Sequence, residues 1–373
     1  MTNLKIFTRV FVNKKEMKSV FSLFLLLLSF NNFSQNQQAT EINPMKVLFI
    51  GNSYTHYNNM PEIFGKIAKS KKIKIDVAMN AKSNHTFKMH CQRPELFEAI
   101  KTKKWDYVVL QGFSRELMFE KSIIDTATIP YFKRIMDSVY ANHSCTNVLL
   151  YMTWGYKNGF SQNLEPLTYD EMSNNIHSGY KYLSELYDLS IVPIGEIWRS
   201  FRKNNPEIEL YQDDGQHPNL TGSYLIASGF YSAIFKSNPN GGYIPKIDSL
   251  VANKIQGVAY KYVAANVDTF ELKRNTIEFD YERTKKGEYI AQGKANFPNA
   301  DSLEWLIDNK RISITPEFKH KFKKPGTYFV KLIVFDKCGV REIYRKAIFK
   351  APQAPQRNRK SKPKKSNKTS RKI

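Results

Sequence analysis

Apolar runs of four to seven residues recur along the first two-thirds of the chain, near 46–50, 73–79, 105–110, 147–153 and 190–193, with amphipathic stretches between them. Continuous apolar runs of that length, alternating with helical periodicity, predict a parallel sheet covered by helices on both faces. Loops at the carboxyl ends of such strands gather into one crevice. Ser53, Ser83, Gln111 and Trp154 all follow predicted strand ends, so they are expected to share a site. The domain spans 36–265, and about 220 residues are ample for one buried core. After a helical stretch at 247–265 the pattern changes to period two, at 269–272, 288–291 and 326–336, with turn residues between. That alternation predicts a small β-sandwich over 268–350.

Two segments of the first region carry chemistry. In Asp214-Gly215-Gln216-His217-Pro218 a carboxylate precedes an imidazole by three residues in a turn. The carboxylate can accept the Nδ1 proton of His217, leaving Nε2 free to take a proton from a nucleophile. Asp213 is the neighbouring rival for Asp214. Far upstream, the first apolar strand runs into Gly51-Asn52-Ser53-Tyr54-Thr55, and Pro61 followed by 62–68 reads as a helix, which puts Ser53 on a strand-to-helix elbow. Such an elbow exposes a side chain and unpaired N–H groups. It lacks the second glycine and the lysine of a phosphate-binding loop.

Together these segments resemble the SGNH, or GDSL-like, hydrolases, in which the nucleophilic serine follows the first strand and a D-x-x-H pair closes the domain. The strings Gly51 to Pro61, Trp105 to Gln111 and Tyr211 to Pro218 look like one bacterial branch of that superfamily, known mainly as a domain of unknown function. The resemblance covers about residues 44–264. It implies a three-layer, flavodoxin-like fold and a secreted serine esterase without cofactor or metal. It implies a triad of Ser53, His217 and Asp214, acyl transfer to water, and acetyl esters of a carbohydrate as the expected substrates.

The resemblance also implies oxyanion donors from two middle blocks. The glycine expected after the second strand is replaced by Asn80-Ala81-Lys82-Ser83-Asn84, where a left-handed backbone would strain lysine or serine. The third-block asparagine is absent, and Gln111 is the nearest amide. The expected hole is therefore the N–H of Ser53, the N–H of Ser83 and the side chain of Gln111. Asn52 and Trp154 are assigned to substrate binding, Trp154 by stacking on a sugar ring. Arg115 and Glu116 stand close enough in sequence to touch substrate. The altered blocks keep a second reading open: a non-catalytic glycan-binding protein on the same fold. Within 268–350, Lys324 to Tyr328 and Trp305 to Asn309 look like a PKD-like, immunoglobulin-fold module, read as a spacer.

Charge and cysteines set the context. The chain carries a net +23, of which the acid-free stretch 351–373 supplies +9 and residues 1–35 supply +4. The former reads as a disordered basic tail, the latter, with its short apolar run at 20–30, as a secretory signal, with Met17 as an alternative start. A secreted, periplasmic or cell-surface location follows, with the tail attracted to anionic polymers and no motif for specific nucleic-acid binding. Three cysteines, Cys91, Cys145 and Cys338, make no disulfide framework and are read as unpaired thiols, with a Cys91–Cys145 bridge as the alternative. His85, His90 and Cys91 cluster near the second block, but their spacing does not suit a metal helix.

Overall fold

In a computed structural model the described residues are 44–161, 166–272, 276–297, 300–336 and 339–350. The predicted signal segment, the basic tail and Cys338 lie outside them, as do residues 162–165 and 351–373.

The first domain is a five-stranded parallel sheet in the order β2-β1-β3-β4-β5, formed by β1 (Met45–Gly51), β2 (Ile75–Ala81), β3 (Tyr107–Leu110), β4 (Asn147–Tyr151) and β5 (Ser190–Val192). Each strand lies within two or three residues of its predicted position. The central ones are apolar throughout because both faces are covered: Val47 to Ile50 and Val108 to Leu110 are all essentially buried. The chain leaves β1 to form β2 on one side, then returns to place β3 on the other. That reversal opens a crevice at the carboxyl ends of β1 and β3.

The helices are α1 (Ser53–His56), α2 (Met60–Ser70), α3 (Phe87–His90), α4 (Pro94–Lys101), α5 (Lys121–Ala127), α6 (Ile129–Asn142), α7 (Tyr169–Tyr187), α8 (Ile194–Asn204), α9 (Leu220–Phe235) and α10 (Ser249–Ala265). Helix α9 packs against α2, α8 and α10, while α6 packs against α3, α4 and α5. Helix α9 is buried almost all round, and its Asn219 cap accepts from the N–H of Gly222 at 2.9 Å. None of the helices is long and apolar enough to cross a membrane among the described residues.

One predicted strand is absent. Residues 269–272 form turns, and Phe270 and Leu272 are buried in the core of the first domain. The reason is the open edge of β5: the N–H of Ile191 donates to Phe270 O at 3.0 Å and Ser190 Oγ to Glu271 O at 2.5 Å. Alternating polarity there reflects a chain segment laid along a sheet edge, so the first domain extends past 265.

The second region is the predicted β-sandwich. One sheet joins β6 (Thr276–Arg283), β7 (Tyr289–Asn296) and β10 (Glu317–Phe322) in the order β10-β7-β6. The other joins β8 (Ala300–Ile307), β9 (Lys310–Ser313), β11 (Gly326–Asp336) and β12 (Gly339–Phe349) in the order β12-β11-β8-β9. All pairings are antiparallel. Alternate residues Val330, Leu332 and Val334 of β11 point inward onto Trp305 and Phe318, while Phe329 is exposed.

Cys91 is a buried free thiol whose Sγ lies 3.3 Å from Tyr131 O, so it takes part in no bridge. Cys145 is disulfide-bonded, so the expectation of unpaired thiols holds for Cys91 and not for Cys145.

Candidate active site

Helix α1 begins directly after β1, which places Ser53 at its first position. Asn52 caps the helix by accepting from the N–H of Tyr54 at 3.1 Å. Gly51 is required at this elbow because a Cβ there would collide with Thr55 Oγ1 and Gln111 Oε1. Ser53 heads the helix, so its N–H has no carbonyl within that helix to bond.

The Asp214–His217 turn is closed by its own backbone. Gln212 N–H donates to His217 O at 2.8 Å and Gly215 N–H to Gln212 O at 3.0 Å. Gly215 takes φ of 65°, a left-handed conformation that glycine adopts without strain. Asp214 Oδ1 accepts from the N–H groups of Gln216 and His217 at 2.8 and 2.9 Å, which aims Oδ2 at the imidazole. Oδ2 lies 2.5 Å from His217 Nδ1, and His217 Nε2 lies 2.9 Å from Ser53 Oγ. With Nδ1–H donated to the carboxylate, Nε2 is the acceptor and the Ser53 hydroxyl donates to it. Partial burial pushes the Asp214 carboxyl up, but the His217 ring and the two N–H bonds outweigh it and hold the group below its ordinary value. Asp213 is exposed and has no part in this chain of bonds.

The other predicted site residues fall elsewhere. Gln111 is fully buried: its Oε1 accepts from Asn52 N–H at 2.8 Å and Thr55 Oγ1 at 2.9 Å, and its Nε2 donates to Gly112 O. The amide is thus committed to holding the elbow. Asn52 and Trp154, expected to bind substrate, are each 1% exposed and offer almost no surface in this structure. Trp154 has both faces covered, by Tyr54 at 4.4 Å and Trp198 at 4.1 Å, and donates to Gln216 O at 3.1 Å. It supports the histidine turn from below. Glu116 is buried and accepts from the N–H groups of Phe87 and Phe113. Burial pushes its carboxyl up to about 7, against the pull of those donors.

Ser83 is exposed, and its hydroxyl lies 2.8 Å from His56 Nε2. The left-handed residue of the second block is Asn84, with φ of 58°, so neither Lys82 nor Ser83 carries the strain. Asparagine tolerates this region, which is how the loop dispenses with glycine. His90 is fully buried, and burial together with the charges of His85 and Arg93 lowers it to about 4, so it is a neutral core histidine. No group of three or more His, Cys, Asp or Glu is placed to hold a metal among the described residues.

Two residues that the sequence did not single out touch the imidazole. Tyr57 stacks on His217 with centroids 4.4 Å apart and planes 15° apart, and Tyr54 meets it edge-on at 5.6 Å.

No family model matches the chain, and no curated protein matches it. Among solved structures, a DUF4886 family protein from Bacteroides uniformis is similar at 18% identity, covering 59% of this chain and 95% of that one, with a TM-score of 0.50. A putative SGNH hydrolase from Slackia heliotrinireducens follows at 22% identity, covering 51% of this chain and 98% of that one, with a TM-score of 0.41. An acetyl xylan esterase, AlAXEase, is similar at 18%, covering 51% of this chain and all (100%) of that one, at 0.41. The α/β domain shares its fold with that DUF4886 family protein. At these identities the likeness bears on architecture alone.

Proposed function

We propose that the protein is a serine esterase. The observation that carries this reading is the chain of contacts from Asp214 through His217 to Ser53, at 2.5 and 2.9 Å, at the open end of the sheet. His217 Nε2 takes the Ser53 proton as Oγ attacks an ester carbonyl, and the developing oxyanion is met by backbone N–H groups, that of Ser53 first. The imidazolium, steadied by Asp214, then protonates the leaving alcohol. A water deprotonated by the same imidazole attacks the acyl-enzyme and releases the acid, restoring Ser53. Small acyl groups, acetyl above all, on a carbohydrate or another alcohol are the substrates to test first. Export from a bacterial cell and attraction of the basic tail to anionic polymers belong to this proposal and are tested by locating the processed protein.

The rival reading, a glycan-binding protein without turnover, draws on the commitment of Gln111 to the elbow and of the Ser83 hydroxyl to His56. A fluorophosphonate probe separates the two, because only an activated serine reacts quickly. The esterase reading requires rapid labelling that disappears in Ser53→Ala and His217→Ala, together with hydrolysis of nitrophenyl or sugar acetates. Folded native protein that stays unlabelled and inert favours the binder.

A further inference from the structure

The Asp214–His217 turn is separated by some 160 positions from the serine it must meet. Its bonds to the body of the domain run mostly to the β4 side: Trp154 Nε1 to Gln216 O at 3.1 Å and Lys157 N–H to Gly215 O at 2.7 Å. Those bonds fix the turn relative to β4 and leave its distance from the end of β1 to other contacts. Apart from Ser53 and Tyr54, the contacts among the described residues that reach it from the β1 side come from one short segment directly after α1.

That segment is unusual in its backbone. Asn58 and Asn59 are consecutive non-glycine residues with φ of 52°, the left-handed region, in the turn at Tyr57–Asn59 before Pro61. Two such residues in a row carry a backbone cost that surrounding contacts must offset. Asn58 Nδ2 donates to Pro218 O at 3.1 Å and to Ser223 Oγ at 2.9 Å. Pro218 immediately follows His217, and Ser223 is a fully buried hydroxyl in the first turn of α9. Tyr57 lays its ring on the His217 imidazole, and on its other side in sequence His56 stacks on Tyr57 at 5.5 Å while holding Ser83. One tripeptide thus touches both loops that flank the serine.

We propose that Tyr57 and Asn58 are positioning residues that set the His217 ring against Ser53: Asn58 fixes the carbonyl next to the imidazole, and Tyr57 fixes the plane of the ring. The backbone conformation supports this reading, since the left-handed bend falls on the residue whose amide reaches Pro218. Ring orientation matters because a shift of about 1 Å between a base and its nucleophile can cost roughly a hundredfold in rate. The proposal rests on the reading of Ser53 and His217 as the reacting pair.

The test compares Asn58→Gly, Asn58→Asp, Tyr57→Leu and Tyr57→Phe in the full-length protein. Glycine accepts the left-handed backbone and deletes the amide. Aspartate keeps the shape but sets an acceptor against the Pro218 carbonyl. Phenylalanine keeps the stack and leucine removes it. Expected are fluorophosphonate labelling and kcat lowered about 10- to 100-fold in the Gly, Asp and Leu variants, with KM and thermal melting close to native, and near-native behaviour in Tyr57→Phe. In the same samples, the low-field proton resonance of His217 Nδ1–H should shift or broaden in the three impaired variants. Unchanged labelling and an unchanged resonance in Asn58→Gly and Tyr57→Leu would overturn the proposal. If native protein does not label, the esterase reading falls and the resonance alone decides: altered in the variants, the positioning role stands; unaltered, it falls too.

Discussion

The two halves of the candidate site are built in opposite ways. The serine elbow is embedded, with Asn52, Thr55 and Gln111 at most 1% exposed and every polar atom of the Gln111 side chain bonded inside the fold. The acid–base turn stands at the surface, where the His217 and Asp214 side chains keep 22% and 44% of their accessible area. In the first, geometry comes from the core and cannot change without unfolding part of it. In the second, geometry comes from local hydrogen bonds, two bonds to Trp154 and Lys157, and a few contacts with the Tyr57–Asn58 segment. Substitutions of the residues that support each half should therefore separate: beneath the elbow they cost stability, and on the turn they cost rate.

The largest expected effect lies in the reacting groups themselves. Ser53→Ala and His217→Ala should each lower ester hydrolysis by about four to six orders of magnitude while leaving the denaturation midpoint near native. Steady-state kinetics alongside urea unfolding checks both halves of the statement. An inactive His217→Ala that also melts early would mean the turn is part of the core after all. Asp214→Ala should follow at about two to four orders, since the ring would lose its tautomer and orientation partner but keep the Tyr57 stack. It also removes two N–H bonds inside the turn, so a modest loss of stability is expected with it.

What the sequence made legible follows the same division. The parallel strands could be read because strands buried on both faces are continuously apolar, and Asp214 with His217 could be read because their partnership is local, three residues apart. Gln111 and Trp154 lie past strand ends as expected, but their side chains are engaged inside the fold, one by the elbow and one between two aromatic rings. Residue type tells what an amide or an indole can do, whereas which way it faces depends on Asn52, Thr55, Tyr54 and Trp198, brought together only by folding. Tyr57 and Asn58 were passed over because their partners, His217 and Pro218, are some 160 positions distant. Their only local mark was a pair of asparagines, residues that accept a left-handed backbone, just before Pro61. The misread strand at 269–272 has the same origin, since the edge of β5 that captures it is not visible in the segment itself.

A third substitution probes the embedded half. Gln111→Leu keeps much of the volume but leaves the Asn52 N–H and the Thr55 hydroxyl unbonded in a dry interior. The expected cost is about 2–4 kcal/mol in unfolding free energy, from two orphaned groups. Activity should fall as well, because Asn52 sets the start of α1 and with it the place of Ser53. Stability untouched by this change, with only the rate reduced, would return Gln111 to the oxyanion role and erase the contrast.

The smallest effect is the one that reads the embedded half through pH. Glu116 sits beside Gly112, and burial raises its carboxyl from the ordinary 4.5 to about 7 even though Phe87 and Phe113 donate to it. Its proton is therefore held more tightly in the folded chain than in the unfolded one. The stability this contributes is fully present below about pH 4.5 and is lost as pH rises through about 7. The full swing is on the order of 3 kcal/mol. Asp214 works in the opposite sense, its lowered value adding stability above its ordinary 3.8 that is lost as pH falls, so the two do not share a window. In Glu116→Gln the neutral amide cannot titrate, and its NH₂ faces donors, so the variant should start about 1–3 kcal/mol below native in acid. Unfolding free energies measured from pH 4.5 to 8 should then converge as the native protein loses its advantage. Parallel curves across that range would mean that Glu116 does not ionise there, and that the N–H groups of Phe87 and Phe113 hold a carboxylate already charged in acid.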